Sequence, residues 1–207
     1  NRDVSLWTRG VDREVFNPGR RSLEWRRAQG IGDGEFVIGF LGRLVMEKGL
    51  DVFAGTIAAL RQAGLAHRVL VVGEGPARGW FADQLPDAVF TGFLAGADLA
   101  RAVAGMDVLF NPSITEAFGN VTLEAMACRL PVVAAVATGA TNLVADGVNG
   151  RLVAPGDIAG FTEAFGAYAA DPALRARHGE AGEAMAREYD WDAINQAVAD
   201  AYIRLVS

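Results

Sequence analysis

The sequence has 207 residues, enough for one large domain or two small ones. Hydrophobic residues make up 51% and charged residues 21%, which excludes wholesale disorder. A net charge of −6 argues against an overall polyanion-binding surface, and so against nucleic acid as a partner, while leaving room for a local phosphate pocket.

The first 30 residues stand apart from the rest, with a stray edge strand over 4–7 and an outlying helix over 20–29. Residues 37–41 are apolar throughout, as a strand covered on both faces should be. Residues 48–63 have helical spacing, with Leu50, Phe53, Ile57 and Leu60 on one face and Gly64 closing the helix. The next strand, 69–72, is stopped by Gly73-Glu74-Gly75-Pro76. A helix over 77–84, a short strand over 88–90 and a helix over 98–104 follow. Strand 108–110 ends at Asn111-Pro112. Gly119 or Asn120 then caps a helix running through Cys128. A strand over 131–136 and two or three helices over 157–206 complete the chain.

Alternating strands and helices with short connections mean parallel βαβ units. Right-handed crossovers turn them into an open, Rossmann-like α/β sheet with helices on both faces. No repeat, low-complexity tract or linker divides residues 1–207, so they read as one domain. The single cysteine cannot form an internal disulfide, and no Cys/His cluster has metal-ligand spacing, which fits a reducing, cytoplasmic compartment. No apolar run reaches the roughly 18 residues of a membrane span, and no signal-peptide pattern opens the chain. A start at Asn1 rather than Met suggests a piece of a longer protein.

Ligands of open α/β sheets bind beyond the carboxyl ends of the strands. Four such ends carry polar or glycine-rich turns. In Gly42-Arg43-Leu44-Val45-Met46-Glu47-Lys48-Gly49, Gly42 lets the backbone approach a ligand, Arg43 offers a planar fork for phosphate oxygens, and Lys48 places a compact charge at a helix start. Lys48 is the one lysine among 19 basic residues, so an inconsequential cation here would have been arginine. In Gly73-Glu74-Gly75-Pro76-Ala77-Arg78, Arg78 occupies the place of the third glycine of a dinucleotide fingerprint; the stretch reads as a tight turn lining the cleft. Thr91-Gly92-Phe93-Leu94 is either a plain turn or a backbone contact for a base edge. The densest stretch runs from Asn111 to Ala127. Glu116 lies on its loop, Glu124 lies in its helix, and Gly119, Asn120 and Val121 present backbone N–H groups to an anion. Two carboxylates flanking a phosphate-attracting helix start suit a ligand that carries both hydroxyls and phosphate. A paired-carboxylate hydrolase is the competing reading.

His67 and His178 lack partners in sequence and read as structural or solvated, and Cys128 reads as a buried small hydrophobe. The run Arg175, Arg177, Glu180, Glu183, Arg187, Glu188 reads as a solvated helix face.

Several stretches, taken together and in order, resemble one family: Arg9-Gly10-Val11-Asp12 with Phe16-Asn17-Pro18; Gly42-Arg43-Leu44 with Glu47-Lys48-Gly49; Val72-Gly73-Glu74-Gly75-Pro76; Glu116 and Glu124; Pro131-Val132-Val133-Ala134; and Asp146-Gly147-Val148-Asn149-Gly150. The set is similar to the C-terminal, donor-binding domain of the retaining family 4 glycosyltransferases (glycosyl transferases group 1), which have the GT-B fold. The resemblance implies that Arg43 and Lys48 hold a donor diphosphate, with Gly42 and Gly73 shaping the cleft. It implies that Glu124 accepts from ribose hydroxyls and that Glu116 contacts the donor sugar. Phe118, Gly119, Asn120 and Val121 then line sugar and phosphate, and backbone at Phe93 and Leu94 meets the base. Glu116, Arg43 and Lys48 carry the catalytic roles, and no metal or other cofactor is expected. The acceptor, whether glycan, lipid or small molecule, would bind through a preceding N-terminal lobe, with residues 1–30 between the lobes. This piece alone would then transfer little. The full-length protein would be cytoplasmic, with peripheral attachment to the inner face of a membrane left open.

Three positions depart from the family pattern: Met46 where Pro is frequent, Arg129 where Gly is usual, and Asn142 where Glu is common. Arg129 follows a helix end, where positive φ is expected; Arg129→Gly should stabilise unless Arg129 has recruited an acidic partner or a phosphate. Alternatives are a sugar-nucleotide epimerase or phosphorylase of the same architecture, and a non-catalytic nucleotide-sugar-binding module.

Overall fold

A computed structural model describes residues 9–115 and 118–206. Six parallel strands, β1 (Val37–Leu41), β2 (Arg68–Val72), β3 (Val89–Gly92), β4 (Val108–Asn111), β5 (Val132–Ala135) and β6 (Gly150–Val153), form one sheet in the order β3-β2-β1-β4-β5-β6. The helices are α1 (Leu23–Ala28), α2 (Leu50–Gln62), α3 (Arg78–Gln84), α4 (Gly96–Ala104), α5 (Asn120–Ala127), α6 (Thr138–Thr141), α7 (Ile158–Ala170), α8 (Pro172–Ala186) and α9 (Trp191–Val206). The expected strand at 4–7 lies outside the described residues.

Successive side chains of a strand point to opposite faces, so a strand covered on both sides must be apolar at every position. Val37, Leu70, Leu109, Val132 and Ala134 bury one face with residues of α4 and α5. Ile38, Phe40, Val71, Phe110 and Val133 bury the other with residues of α2 and α7. Phe110 centres the second core, stacked on Phe53 at 4.8 Å and set against Phe161 and Phe165, each at 4.9 Å. These contacts add about 0.5–1.5 kcal/mol per pair beyond burial.

The expected elements appear with shifted ends. The helix read from residue 48 begins at Leu50, because Gly49 adopts φ 71° and separates it from a 3-10 turn over Met46–Lys48. The strand read over 88–90 runs on to Gly92, and the helix read from 98 starts at Gly96. Neither α6 nor β6 was legible; β6 is an edge strand whose Arg151 and Leu152 remain half-exposed.

The outlying helix does dock. Ser22 caps α1 by accepting from the Trp25 N–H at 3.1 Å. Arg26 is fully buried and donates to the carbonyls of Gly32, Glu35 and Gly105, and to Asp107 at 3.3 Å. Arg21 pairs with the same aspartate at 2.7 Å. A buried guanidinium is tolerated only with such a set of acceptors. The late charged run is no solvated face throughout: Arg175 donates to the Tyr168 carbonyl and lies over the Phe36 ring, and Glu183 receives both Arg129 and Arg187.

Candidate functional site

The strand order reverses direction between β1 and β4, and a doubly wound sheet opens its ligand crevice at that point. The turns leaving β1 and β4 carry the residues singled out by sequence.

The β1 turn is fastened to the β2 turn. Gly42 donates to the Val72 carbonyl at 3.0 Å, Leu44 to Glu74 at 2.9 Å, and Ala77 back to Leu44 at 3.0 Å. This approach leaves no room for a side chain at Gly75, where a Cβ would lie 2.3 Å from the Leu44 oxygen. A Cβ at Gly73 would lie closer still, 1.9 Å from the Gly42 oxygen, so its part in the site is to bring two turns together. Leu44 is fully buried and pins the loop. Its neighbour Arg43 is exposed; its carbonyl accepts from the Val45 N–H at 3.0 Å, while its guanidinium has no hydrogen-bond or ion-pair partner among the described residues. Lys48 ends the following turn and is half-buried.

The β4 turn meets this loop from the other side, with Thr115 Oγ1 donating to the Glu47 carbonyl at 3.3 Å. Asn111, at the end of β4, accepts from the Ser113 N–H at 3.3 Å and donates to Thr122 Oγ1 at 3.3 Å. That pair of bonds locks the turn to α5. Glu116 falls outside the described residues.

At the start of α5, Gly119 adopts φ 95° and no side chain caps the helix. The first intrahelical bond is Leu123 N–H to the Gly119 carbonyl at 3.1 Å, so the N–H groups of Asn120, Val121 and Thr122 have no helical acceptor. Together with the dipole they attract an anion. Glu124 lies four residues on from Asn120, on the same face, and helical side chains lean toward the N-terminus. Burial pushes its carboxyl up to about 7, and no cation or donor among the described residues draws it back.

Phe93 follows β3 and is 77% exposed, beside the β2 turn through the Gly73 N–H to Gly92 carbonyl bond of 2.9 Å. Leu94 and Val121 are half-buried against the α4–α5 core. Phe118 stands edge-on to Tyr189 at 5.9 Å. The fold therefore brings the β1, β2, β3 and β4 turns to one edge.

Sequence reasoning missed Trp80. It lines a cleft of about 950 Å³ with Arg43, Met46, Lys48, Pro76 and Thr115. The available signal was an indole in the first turn of a helix that opens on the cleft. His67 and His178 bond locally, to the Leu65 carbonyl and the Tyr168 hydroxyl. Cys128 is buried, which pushes its thiol up to about 12. Among the described residues, no cluster of three or more His, Cys, Asp or Glu could hold a metal ion, and no helix is long and apolar enough to cross a membrane.

An open parallel sheet with glycine turns, cations and an uncapped helix start at its switch point defines a Rossmann-like ligand-binding domain. The family described as glycosyl transferases group 1 matches residues 35–171, and the chain belongs to that family. It is 33% identical over 196 residues to the GDP-mannose-dependent alpha-mannosyltransferase of Corynebacterium glutamicum, covering 93% of this chain and 45% of that protein. The structure of Anabaena HepE in complex with UDP-glucose superposes with a TM-score of 0.83 at 29% identity, covering 94% of this chain and 56% of that one. The C-terminal domain of the group 1 glycosyl transferase LpcC from Francisella tularensis gives a TM-score of 0.75 at 25% identity, covering 86% of this chain and 97% of that one. The fold is that of GT-B glycosyltransferases. The chain spans half or less of the length of the curated relatives it matches.

Proposed function

We propose that this chain is the donor-binding lobe of a retaining glycosyltransferase that moves a sugar from a nucleotide-sugar to an acceptor hydroxyl. The observation that carries the reading is the pairing, across the β1–β4 switch point, of an unpartnered Arg43 with the uncapped start of α5, and Glu124 one turn behind. Arg43, Lys48 and the free N–H groups of α5 receive the diphosphate. Glu124 accepts from the ribose hydroxyls, which supply the donors its burial denies it. Glu116 meets the sugar, which Phe118, Gly119, Asn120 and Val121 border, and backbone at Phe93 and Leu94 meets the base.

In this reading, the bond between the anomeric carbon and the diphosphate oxygen breaks and negative charge grows on the leaving group. Cations and helix dipole already aimed at that position stabilise the charge as it forms. The positive charge comes from the protein, with no metal called on. The complex of HepE with UDP-glucose supports the donor class. The greater part of the acceptor site would lie on a preceding lobe. The near-complete match to the isolated C-terminal domain of LpcC supports that division, as do exposed Phe93, Ile114 and Val136 at the carboxyl edge of the sheet. A cytoplasmic location belongs to the same proposal. Calorimetric titration of this chain with UDP and GDP tests it: saturable binding of one of them is expected, and binding of neither removes the donor-lobe reading. Product NMR of the whole protein reads the anomeric outcome.

A further inference from the structure

The cleft at Trp80 adjoins the proposed donor site and extends beyond it. It shares Arg43 and Lys48 with the phosphate position, but Phe93, Leu94, Val121 and Glu124 do not line it. On the donor-lobe reading, the nucleoside contacts at Phe93, Leu94 and Glu124 lie outside this compartment's lining. At about 950 Å³ it is large enough for a ligand of its own.

Its lining has a recognisable chemistry. Trp80 lies on α3, 39% exposed, with its ring parallel to buried Phe81 at 6.4 Å and 4°. That contact braces the indole while leaving part of it open to the cleft. Met46, also exposed, and Pro76 extend the apolar floor. The polar groups are Glu47 and Thr115, whose hydroxyl already bonds the Glu47 carbonyl at 3.3 Å. An aromatic platform with a carboxylate and a hydroxyl at its edge matches a pyranose, whose C–H face packs on the ring while its hydroxyls reach the rim. A transferase needs two ligands side by side at the diphosphate, and this compartment opens on its cations.

We propose that the Met46–Pro76–Trp80 cleft is a saccharide subsite for the acceptor, supplied by this lobe, with Trp80 as its stacking platform. The proposal rests on the donor-lobe reading for its orientation, but its test reads separately. The indole N–H resonance of Trp80, assigned by its loss in Trp80→Phe, is followed by NMR in this chain. Methyl α-glucopyranoside, methyl α-mannopyranoside and myo-inositol are titrated with and without saturating UDP or GDP. At least one should move the Trp80 resonance saturably. Trp80→Ala should weaken that binding about tenfold, with Trp80→Tyr restoring most of it, as expected for a ring contact of ordinary strength. Nucleotide affinity should stay within about twofold in all variants, which also reports that they fold. A Trp80 resonance unmoved by every saccharide overturns the proposal. So does a response to octanol alone, which would make the cleft an apolar-chain site. Saccharide binding without nucleotide binding would overturn the donor reading and leave the subsite standing.

Discussion

The guanidinium of Arg129 meets the carboxylate of Glu183 at 2.6 Å from a backbone held at φ 62°. Arg129 is the one non-glycine residue with positive φ among the described residues. It follows α5, donating to the Met126 carbonyl at 2.9 Å while Leu130 donates to Ala125 at 3.0 Å, a helix end that favours glycine. Strain and a recruited acid therefore coexist. Burial raises the Glu183 carboxyl, but hydrogen bonds from Arg129 and Arg187 outweigh it and hold the group below the usual glutamate range.

Arg129→Ala keeps the strain and loses the pair, whereas Arg129→Gly loses both. The glycine variant should be the more stable of the two by about 1 kcal/mol, and close to the parent. Urea denaturation measures this; an alanine variant as stable as the glycine variant would show that the backbone is unstrained.

The Glu183 pair has a definite pH window. Its stabilisation is present above the ordinary glutamate range and is lost as pH falls through the lowered folded value. Glu183→Gln should therefore destabilise at pH 7 and converge with the parent in acid. Melting curves that stay parallel down to pH 3 would contradict the pairing.

Glu124 behaves oppositely. Its folded value of about 7 lies above that of the unfolded chain, so stability falls as pH rises between the two values and stays reduced above. Glu124→Gln should stabilise the empty chain at pH 8 by on the order of 3 kcal/mol, and by less at pH 5. It should also weaken nucleoside diphosphate binding. At pH 6.5 the parent should release more protons on binding nucleotide than the variant does, read by calorimetry in buffers of different ionisation heat. Equal proton release would separate Glu124 from the ligand.

The packing of the two glycine turns predicts a contrast. Gly75→Ala forces a Cβ to 2.3 Å from the Leu44 oxygen and should cost about 1–3 kcal/mol or more, with loss of nucleotide binding. Gly79→Ala, exposed on α3 with nothing within 4 Å, should stabilise by about 0.5–1 kcal/mol. Thermal melts of the two variants decide it.

The strands most plainly legible in the sequence were those buried on both faces, such as Val37 to Leu41 and Val69 to Val72, and the half-exposed edge strand β3 was read with shifted ends. β6 was illegible because its four residues open on Gly150 and carry Arg151, which leaves no apolar run. Arg26 was not singled out by sequence; its burial depends on acceptors as distant as Gly105 and Asp107, which local pattern does not encode. Of the proposed site, Arg43, Lys48 and Glu124 could be singled out by residue type in the turns and helices that follow β1 and β4. Trp80 was not, because its exposure follows from how α3 seats against the β1 turn.

If Arg43 and Lys48 hold a donor diphosphate at the switch point, removing either must weaken nucleotide binding. Calorimetric titration of UDP and GDP into the parent, Arg43→Ala, Lys48→Ala and a control, Arg101→Ala, tests it most directly. Arg101 pairs with Asp98 at 3.2 Å on the solvent face of α4 and should not matter. A loss of about 1.5–3 kcal/mol, roughly tenfold to 150-fold in affinity, is expected in each of the two site variants and none in the control. Unchanged affinity in both site variants would contradict it.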